Sequence, residues 1–443
     1  MEQAYKVGMI SLGCNKNRVD SEIALGTLRD HGYVFTGDPA EADVLMVNTC
    51  GFIGPAKEES IDAILEMAEY KKTGRCRLLV VTGCLAQRYE QELLNDMPEI
   101  DLLMGVNQYD HLADEVDRLL SAKEPSRQSF CQDAGNYFEH SRVLTTPAYT
   151  AYIRTGEGCS NRCTFCAIPL IRGNYRSRNE ENILNEIREM AAQGVKEHIL
   201  VAQDTTRYGT DWDKQSHLSE LLQKAAAIPG VDWLRVLYCY PDETDQRLLD
   251  TIAGTDNICK YLDLPIQHIS DRLLRRMNRR GTSADIRRAV RLARERDLTL
   301  RTSIIVGFPG ETEEEFAELL DFVREAQFDR LGAFTYSPEE GTPAASFPDQ
   351  IDEEVKQERL DRLMRLQAEI SARRTALRVG TVEKVLVTDR NEQGLLLGRS
   401  QREAPEEDGE IVFKAARPLP KPGDFVQVKI TESDTYDLSG VML

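Results

Sequence analysis

The pattern of hydrophobic and polar positions changes twice along the chain. Up to about residue 122, short apolar runs alternate with amphipathic stretches. "KVGMISLGC", "ADVLMVNTC" and "RCRLLVVTGC" predict strands. "SEIALGTLRDHG", closed by a glycine, "AKEESIDAILEMAEYKK" and "AQRYEQELLNDM" predict the helices that follow them. Strands without polar alternation need cover on both faces, so residues 1–122 read as a parallel α/β sheet. Residues 123–147 are rich in Pro, Ser, Gly and Asn and suit a linker. Residues 148–378 hold six strand candidates, "YTAYIRT", "EHILVAQ", "WLRVLY", "YLDLP", "LTLRTSIIVG" and "RLGAFTY". Helical patterns separate them, and a long charged helix, "DEEVKQERLDRLMRLQAEISARRTALR", follows. Six such units predict a partial (β/α)6 barrel, in which chemistry gathers at the C-terminal strand ends. Residues 379–443 show five short strands between turn residues, which predict a small antiparallel β-barrel.

Composition narrows the class. A chain of 443 residues suits two or three domains. Its 41% apolar and 7% aromatic content fits a globular protein, and its apolar runs are too short to cross a bilayer. The opening "MEQAYKVGMISLGC" lacks a charged start followed by a long apolar core, so no secretory signal is expected and a cytoplasmic, membrane-free protein is. The formal charge of −19 disfavours a large non-specific grip on nucleic acid. Ten cysteines in a reducing compartment point to metal rather than disulfides where they cluster. Cys76, Cys131, Cys239 and Cys259 show no ligand spacing and read as core or surface residues.

The densest cluster is "EGCSNRCTFCAIP", directly after the first barrel strand. It packs Cys159, Cys163 and Cys166 into eight residues. Structural zinc is the plain alternative, but it normally has a fourth Cys or His at recognisable spacing. The nearest histidines, His140 and His198, lie well outside the loop. Thiolates also suit iron–sulfur clusters, where three ligands leave one iron open. The CxxxCxxC spacing, with Phe165 before the last cysteine, resembles the signature of the radical S-adenosylmethionine superfamily. The resemblance implies that the open iron holds S-adenosylmethionine and that reductive cleavage yields a 5′-deoxyadenosyl radical, the protein supplying ligands and position. In "SIIVGFPGET", Gly307 and Pro309 end a strand where a backbone can approach such a cofactor, although the stretch also reads as an ordinary strand-to-helix turn. Gln203, with Asp204, ends another strand with polar groups able to touch it or simply to solvate a loop.

A second trio is spread through the first region. "SLGC", "VNTC" and "VTGC" place Cys14, Cys50 and Cys84 right after apolar strands, 36 and 34 residues apart. Each gap is about one strand–helix–strand unit, so parallel strands would bring the three thiols to one sheet edge. With these motifs in all three regions, the chain resembles the methylthiotransferases. That resemblance implies two 4Fe-4S clusters: an auxiliary one on Cys14, Cys50 and Cys84 and a radical-generating one on Cys159, Cys163 and Cys166. It implies a C-terminal TRAM domain, an OB-like barrel. It also implies insertion of a methylthio group into a carbon–hydrogen bond, with one S-adenosylmethionine methylating a sulfur and a second supplying the radical. No side chain is singled out as a general base.

The family divides by substrate. One branch modifies adenosine in transfer RNA, and another modifies the β-carbon of an aspartate in small-subunit ribosomal protein S-12. "SLGCNKNRVDSE" and "VNTCGFI" resemble the second branch, with Asn15 where proline is more usual; "CTFCAIPLIRG" is common to both. From Ala376 to Leu443 there are nine Lys and Arg against twelve Asp and Glu, a formal −3. A barrel gripping tRNA should be basic, so this favours a basic ribosomal protein, or merely a soluble surface. "DRLLRRMNRRG" argues back. Leu273, Leu274 and Met277 predict a buried stripe, with Arg272, Arg275, Arg276, Arg279 and Arg280 turned outward as a solvated face or a contact to ribosomal RNA or to acidic substrate groups. The expected partners are ribosomal protein S-12, free or in the small subunit, an electron donor and a sulfur source. An iron–sulfur redox sensor without turnover is the non-enzymatic alternative.

Overall fold

The computed structural model describes residues 5–122, 127–131 and 141–443. Strands β1 (Lys6–Ser11), β2 (Val34–Phe35), β3 (Val44–Thr49), β4 (Leu78–Gly83), β5 (Leu102–Met104) and β6 (Gln128–Phe130) form one parallel sheet in the order β2-β1-β3-β4-β5-β6. The helices between them are α1 (Asn15–Asp30), α2 (Gly54–Thr73), α3 (Cys84–Arg88), α4 (Glu90–Asp96) and α5 (Leu112–Ser121). Every residue of β3 and β4 is buried, as central parallel strands require. Leu45, Val47, Leu79 and Val81 pack with Ile64 and Met67 of α2. The alternate positions Val44, Met46 and Val80 are as deeply buried on the other face, where α1 and α5 pack.

Two expectations change here. The helix expected over "AQRYEQELLNDM" is two short helices that meet at Tyr89, whose backbone leaves the helical region. The stretch expected as a linker supplies β6, which pairs with β5. Its end is held to α1: Val143 N donates to Glu22 O at 3.0 Å, and Arg142 Nη2 and Thr145 N donate to the Glu22 carboxylate at 2.6 and 2.8 Å. Residues 123–126 and 132–140, with His140, lie outside the described residues.

All six expected barrel strands form. They are β7 (Thr150–Arg154) and, after the two-residue pair β8 (Gly156–Glu157) and β9 (Arg176–Ser177), β10 (Glu197–Val201), β11 (Trp233–Val236), β12 (Tyr261–Asp263), β13 (Thr299–Val306) and β14 (Arg330–Thr335). They make two parallel three-stranded sheets, β11-β10-β7 and β12-β13-β14, joined by a parallel bridge between Leu234 and Ile258. The helices of this region are α6 (Ile168–Arg172), α7 (Glu180–Ala192), α8 (Thr210–Asp213), α9 (Leu218–Ala226), α10 (Gln246–Gly254), α11 (Asp271–Arg276), α12 (Ser283–Arg294), α13 (Glu313–Ala326) and α14 (Glu353–Ala376). Leu273, Leu274 and Met277 are buried as expected, but Arg279 is not turned outward. It stacks on Tyr240 at 4.1 Å and donates to Pro265 O, because the chain turns inward just after α11. Arg272 pairs with Glu315 and Arg276 with Asp349, which leaves Arg275 and Arg280 facing solvent.

Strands β15 (Val382–Arg390), β16 (Leu396–Arg399), β17 (Ile411–Lys414), β18 (Phe425–Ser433) and β19 (Leu438–Met442) close a barrel in the order β15-β16-β17-β19-β18. The barrel is not wholly antiparallel, because β17 and β19 pair in parallel. Five is an odd number, so a closed ring of alternating directions must contain one parallel pair.

By packing, the chain forms two compact units, and the middle region contributes to both. One runs up to Thr145 and takes in Gly156–Arg178 and Ser337–Ala345. The other is Thr146–Thr155, Asn179–Tyr336 and Ser346–Leu443. Within the second, charged residues at the N-terminal ends of the barrel strands meet the loop after β16. Glu197 sits between Arg235 at 3.0 Å and Arg399 at 2.6 Å, all three side chains buried. Tyr261 donates to Asp408 at 2.7 Å, and Arg301 pairs with Asp263 and Glu407. Trp233 meets Phe425 edge-on beside them, with ring centroids 4.8 Å apart. The small barrel is thus part of the base of the larger one.

Burial opposes the Glu197 carboxylate, but Arg399 and Arg235 outweigh it and hold its pKa down at about 2. A carboxyl depressed in the folded state stabilises fully above its unfolded value of about 4.3, and that contribution is lost as pH falls toward 2. Glu197→Gln leaves two buried guanidiniums short of a charge and is expected to cost about 3–5 kcal/mol at neutral pH. It should also flatten the decline in stability from pH ~4.3 downward. Urea titrations at stepped pH, followed by tryptophan fluorescence, check both effects.

Candidate functional site

The sheet order places β1, β3 and β4 side by side, and a cysteine follows each of them: Cys14, Cys50 and Cys84. The three loops touch. A Cβ built on Gly13 would lie 3.2 Å from Cys50 Sγ, and one on Gly51 would lie 2.8 Å from the Leu85 backbone. Gly83 turns β4 sharply into α3 at φ +97°, ψ −158°, a region open essentially to glycine alone. A Cβ there would stand 2.2 Å from Asn48 Oδ1. Ser60 fixes Cys50 from both sides, accepting from its N–H at 2.9 Å and donating to its carbonyl at 3.1 Å.

The polar residues of "NKNRVDSE" form the first turns of α1 and are nearly all buried there. Asn17 Nδ2 donates to Leu12 O at 3.0 Å and to Thr49 O at 2.8 Å, joining the ends of β1 and β3. Asn48 Nδ2 donates back to Asn17 O and to Ser21 Oγ at 2.7 and 2.8 Å. The sequence expectation began this helix at Ser21 and so missed this role. Its signal was a polar run broken only by Val19.

Burial separates the three thiols. It pushes Cys84 up to about 12 and raises Cys50. Cys14 is solvent-exposed; the surrounding chain opposes its thiolate, but Lys16, Arg172 and the amides of Asn17 and Lys16 outweigh that, so the Cys14 pKa falls. Arg172 also lowers Cys50 and Cys84, and the charges on Cys14 and Cys50 act on Cys84. All three thiols thus lie within one another's electrostatic reach.

The other trio sits on the loop between β8 and β9, where Gly156 and Glu157 pair with Ser177 and Arg176. Cys159 N donates to Gly173 O, and Cys166 N donates to Cys163 O in a tight turn, both at 3.0 Å. Cys159 and Cys163 are buried, and Phe165 and Cys166 half-buried. The same unit therefore holds both trios. Among the described residues, no three Cys, His, Asp or Glu side chains converge as a single metal ion requires. In an iron–sulfur cluster each thiolate binds a separate iron, a role open to three thiols on neighbouring loops. Cys76, Cys131, Cys239 and Cys259 are buried singly, each with a raised pKa from burial.

Sequence reasoning missed two charged residues of this unit. Arg172, at the end of α6, is 1% exposed. Its Nη2 donates to Asn17 Oδ1 and Asp20 Oδ2, both at 2.7 Å, and lies 3.4 Å from Cys84 Sγ. Its Nη1 donates to Glu157 at 3.1 Å. The second is Glu339, in the turn-rich "SPEEGTP" after β14. It accepts from Gly54 N at 3.1 Å, Lys57 at 2.9 Å and Arg88 at 3.0 Å, and Arg88 in turn donates to Gly51 O. Ala344 N donates to Thr164 O, between Cys163 and Cys166.

The remaining expected cofactor contacts lie in the second unit at C-terminal strand ends. Gln203 follows β10, and Gly307 and Pro309 follow β13. Gly307 has φ +70°. The Glu311 carboxylate accepts from Gly307 N at 2.6 Å and Phe308 N at 3.1 Å and pairs with Arg359 at 3.2 Å. Burial pushes its pKa up to about 7.

The family models agree with the three regions. Residues 6–105 match Uncharacterized protein family UPF0004, residues 153–323 the Radical SAM superfamily, and residues 379–443 the TRAM domain. Among curated proteins, the chain is 49% identical to the ribosomal protein uS12 methylthiotransferase RimO of Geobacter sulfurreducens, over 99% of this chain and 98% of that one. It is 50% identical to the enzyme of the same name from Clostridium botulinum, over 99% and 98%. The chain belongs to the RimO family of ribosomal protein uS12 methylthiotransferases. Among solved structures, the radical S-adenosylmethionine methyltransferase TsrM of Kitasatospora setae matches with a TM-score of 0.56 at 15% identity, covering 77% of this chain and 74% of that one. At that identity it shares the fold alone with this RimO family member.

In this family member, Gly83→Ala is expected to cost about 1–3 kcal/mol from backbone strain, before any shift of Asn48. Cys84 would move with it, so less iron should be retained per chain after anaerobic reconstitution. A urea midpoint and an iron assay read the two effects, and a variant matching the parent in both would refute the placement.

Proposed function

We propose that this chain inserts a methylthio group at the β-carbon of an aspartate in ribosomal protein uS12, using S-adenosylmethionine and two four-iron clusters. Membership of the uS12 methylthiotransferase family is the observation that carries this reading. The two separate thiol trios support it, because the reaction needs both a radical and a sulfur. Cys159, Cys163 and Cys166 would hold the radical-generating cluster, and Cys14, Cys50 and Cys84 the auxiliary one. Phe165, Gln203, Gly307 and Pro309 would contact S-adenosylmethionine. Bound there, the cofactors would supply hydrogen abstraction and the methylated sulfur that replaces the hydrogen. The chain's own part is to hold the ligands on the loops that follow its strands, with Cys84, Cys159 and Cys163 buried, Cys50 and Cys166 half-buried and Cys14 exposed. Glu311 would hold the Gly307–Phe308 backbone in place for the cofactor.

Charge supports a protein substrate over tRNA. Glu403, Glu407 and Asp408 of the small barrel are engaged with arginines at the barrel base, as Arg399 and Arg402 are with Glu197 and Asp297. Setting these aside leaves acids still in excess on the rest, which suits a basic ribosomal protein. In the arginine-rich segment only Arg275 and Arg280 project freely, a small surface for ribosomal RNA. An electron donor and a sulfur source would complete the reaction. Among the described residues, no helix is long and apolar enough to cross a membrane.

Mass spectrometry of ribosomal proteins, together with nucleoside analysis of tRNA, from cells with and without the gene tests this reading. Loss of methylthio mass from one aspartate of uS12, with tRNA unchanged, is expected. Loss of a methylthio-adenosine instead would assign the chain to the tRNA reaction. Absence of 5′-deoxyadenosine from reduced, reconstituted protein given S-adenosylmethionine would favour a redox sensor.

A further inference from the structure

Arg172 belongs by sequence to the cysteine loop of the middle region, yet most of its partners belong to the N-terminal sheet edge. Its Nη2 lies 3.4 Å from Cys84 Sγ. Lys16 is a second cation acting on Cys14, and the charge of Arg172 acts on Cys14 and Cys50 as well. Asp20, itself fully buried in α1, pairs with the same nitrogen at 2.7 Å and partly neutralises it. Glu157, two residues before Cys159, pairs with the other nitrogen. A buried cation against a thiolate ligand favours the more negative, reduced state of whatever the thiolates hold. Net charge and hydrogen bonds to ligand sulfur are among the levers that set cluster potentials.

We propose that Arg172 is a positioning residue of the Cys14, Cys50 and Cys84 centre, and that its guanidinium, balanced by Asp20, sets the reduction potential of the cluster held there. This rests on the proposed auxiliary cluster. The guanidinium holds Cys84 Sγ and Asn17 from one side and the cysteine hairpin from the other, so it fixes position and charge together. Removing the cation takes positive charge from the thiolates and lowers the potential. Removing Asp20 unmasks the cation and raises it. A residue that only supported the fold would not give shifts of opposite sign.

The test uses full-length protein in which Cys159, Cys163 and Cys166 are alanine, reconstituted anaerobically and titrated with EPR detection. Arg172→Gln is expected to lower the midpoint potential by at least the equivalent of a tenfold change in the oxidised-to-reduced ratio, 59 mV for one electron. Asp20→Asn, close in shape and still able to accept a hydrogen bond, is expected to raise it. Arg172→Lys should fall between Arg172→Gln and the parent. Unchanged potentials with iron retained, or shifts of the same sign, overturn the assignment of Arg172 while leaving the auxiliary cluster in place. No iron in the parent background overturns the auxiliary cluster itself, and the proposal with it. Should Arg172→Gln fail to retain iron, the sign of the Asp20→Asn shift decides alone.

Discussion

A guanidinium cut off from water must be compensated where it stands, and Arg172 meets that constraint with partners drawn from distant parts of the chain. Asn17 and Asp20 come from α1, Cys84 from the end of β4, and Glu157 from the cysteine hairpin. No one segment could satisfy it. Taking away a partner leaves a buried charge exposed to a low dielectric, which is costly. The edge of the N-terminal sheet and the loop carrying the other cysteines are therefore assembled as one unit. Glu339 repeats the device with the opposite sign, accepting from Lys57, Arg88 and the Gly54 amide just beyond Cys50.

The same rule holds the second unit together at the far end of its strands. Glu197 between Arg235 and Arg399 ties the small barrel to the base of the larger one. The small barrel is consequently not a loosely tethered module, and its formal charge is only partly a surface property. Several of its acids and arginines are engaged in this contact, and the rest face outward.

Between these ionic anchors lies ordinary parallel-sheet logic. Parallel strands end on one side, and backbone groups there are unpaired, so polar residues and ligands collect at that edge. Cys14, Cys50 and Cys84 use the edge of the first sheet, and Gln203 and Gly307 end barrel strands in the same way. The mostly polar, mostly buried stretch Asn15–Glu22 ties the ends of β1 and β3 together at the edge where the three cysteines lie.

Much of the chain was legible from local pattern. All six barrel strands, all five strands of the small barrel and the three cysteine-bearing strands follow from apolar runs and turn residues, because burial on both faces writes itself into composition. The grouping of cysteines was legible too, since Cys14, Cys50 and Cys84 each follow a strand and Cys159, Cys163 and Cys166 share one short loop. Features set by long-range pairing were not. Nothing local marks β6 as a strand, and the parallel closure of β17 on β19 comes from counting strands in a ring. Arg279 reads as surface until its turn folds onto Tyr240, and the residues before Ser21 lie outside the expected helix until α1 packs them against two strand ends. Arg172 is one arginine among many in the sequence. The sequence by itself determined most of the elements, the cysteine motifs and the family. The tertiary structure alone decided which charges are buried against which, because compensating a buried charge takes partners that are neighbours only once the chain has folded.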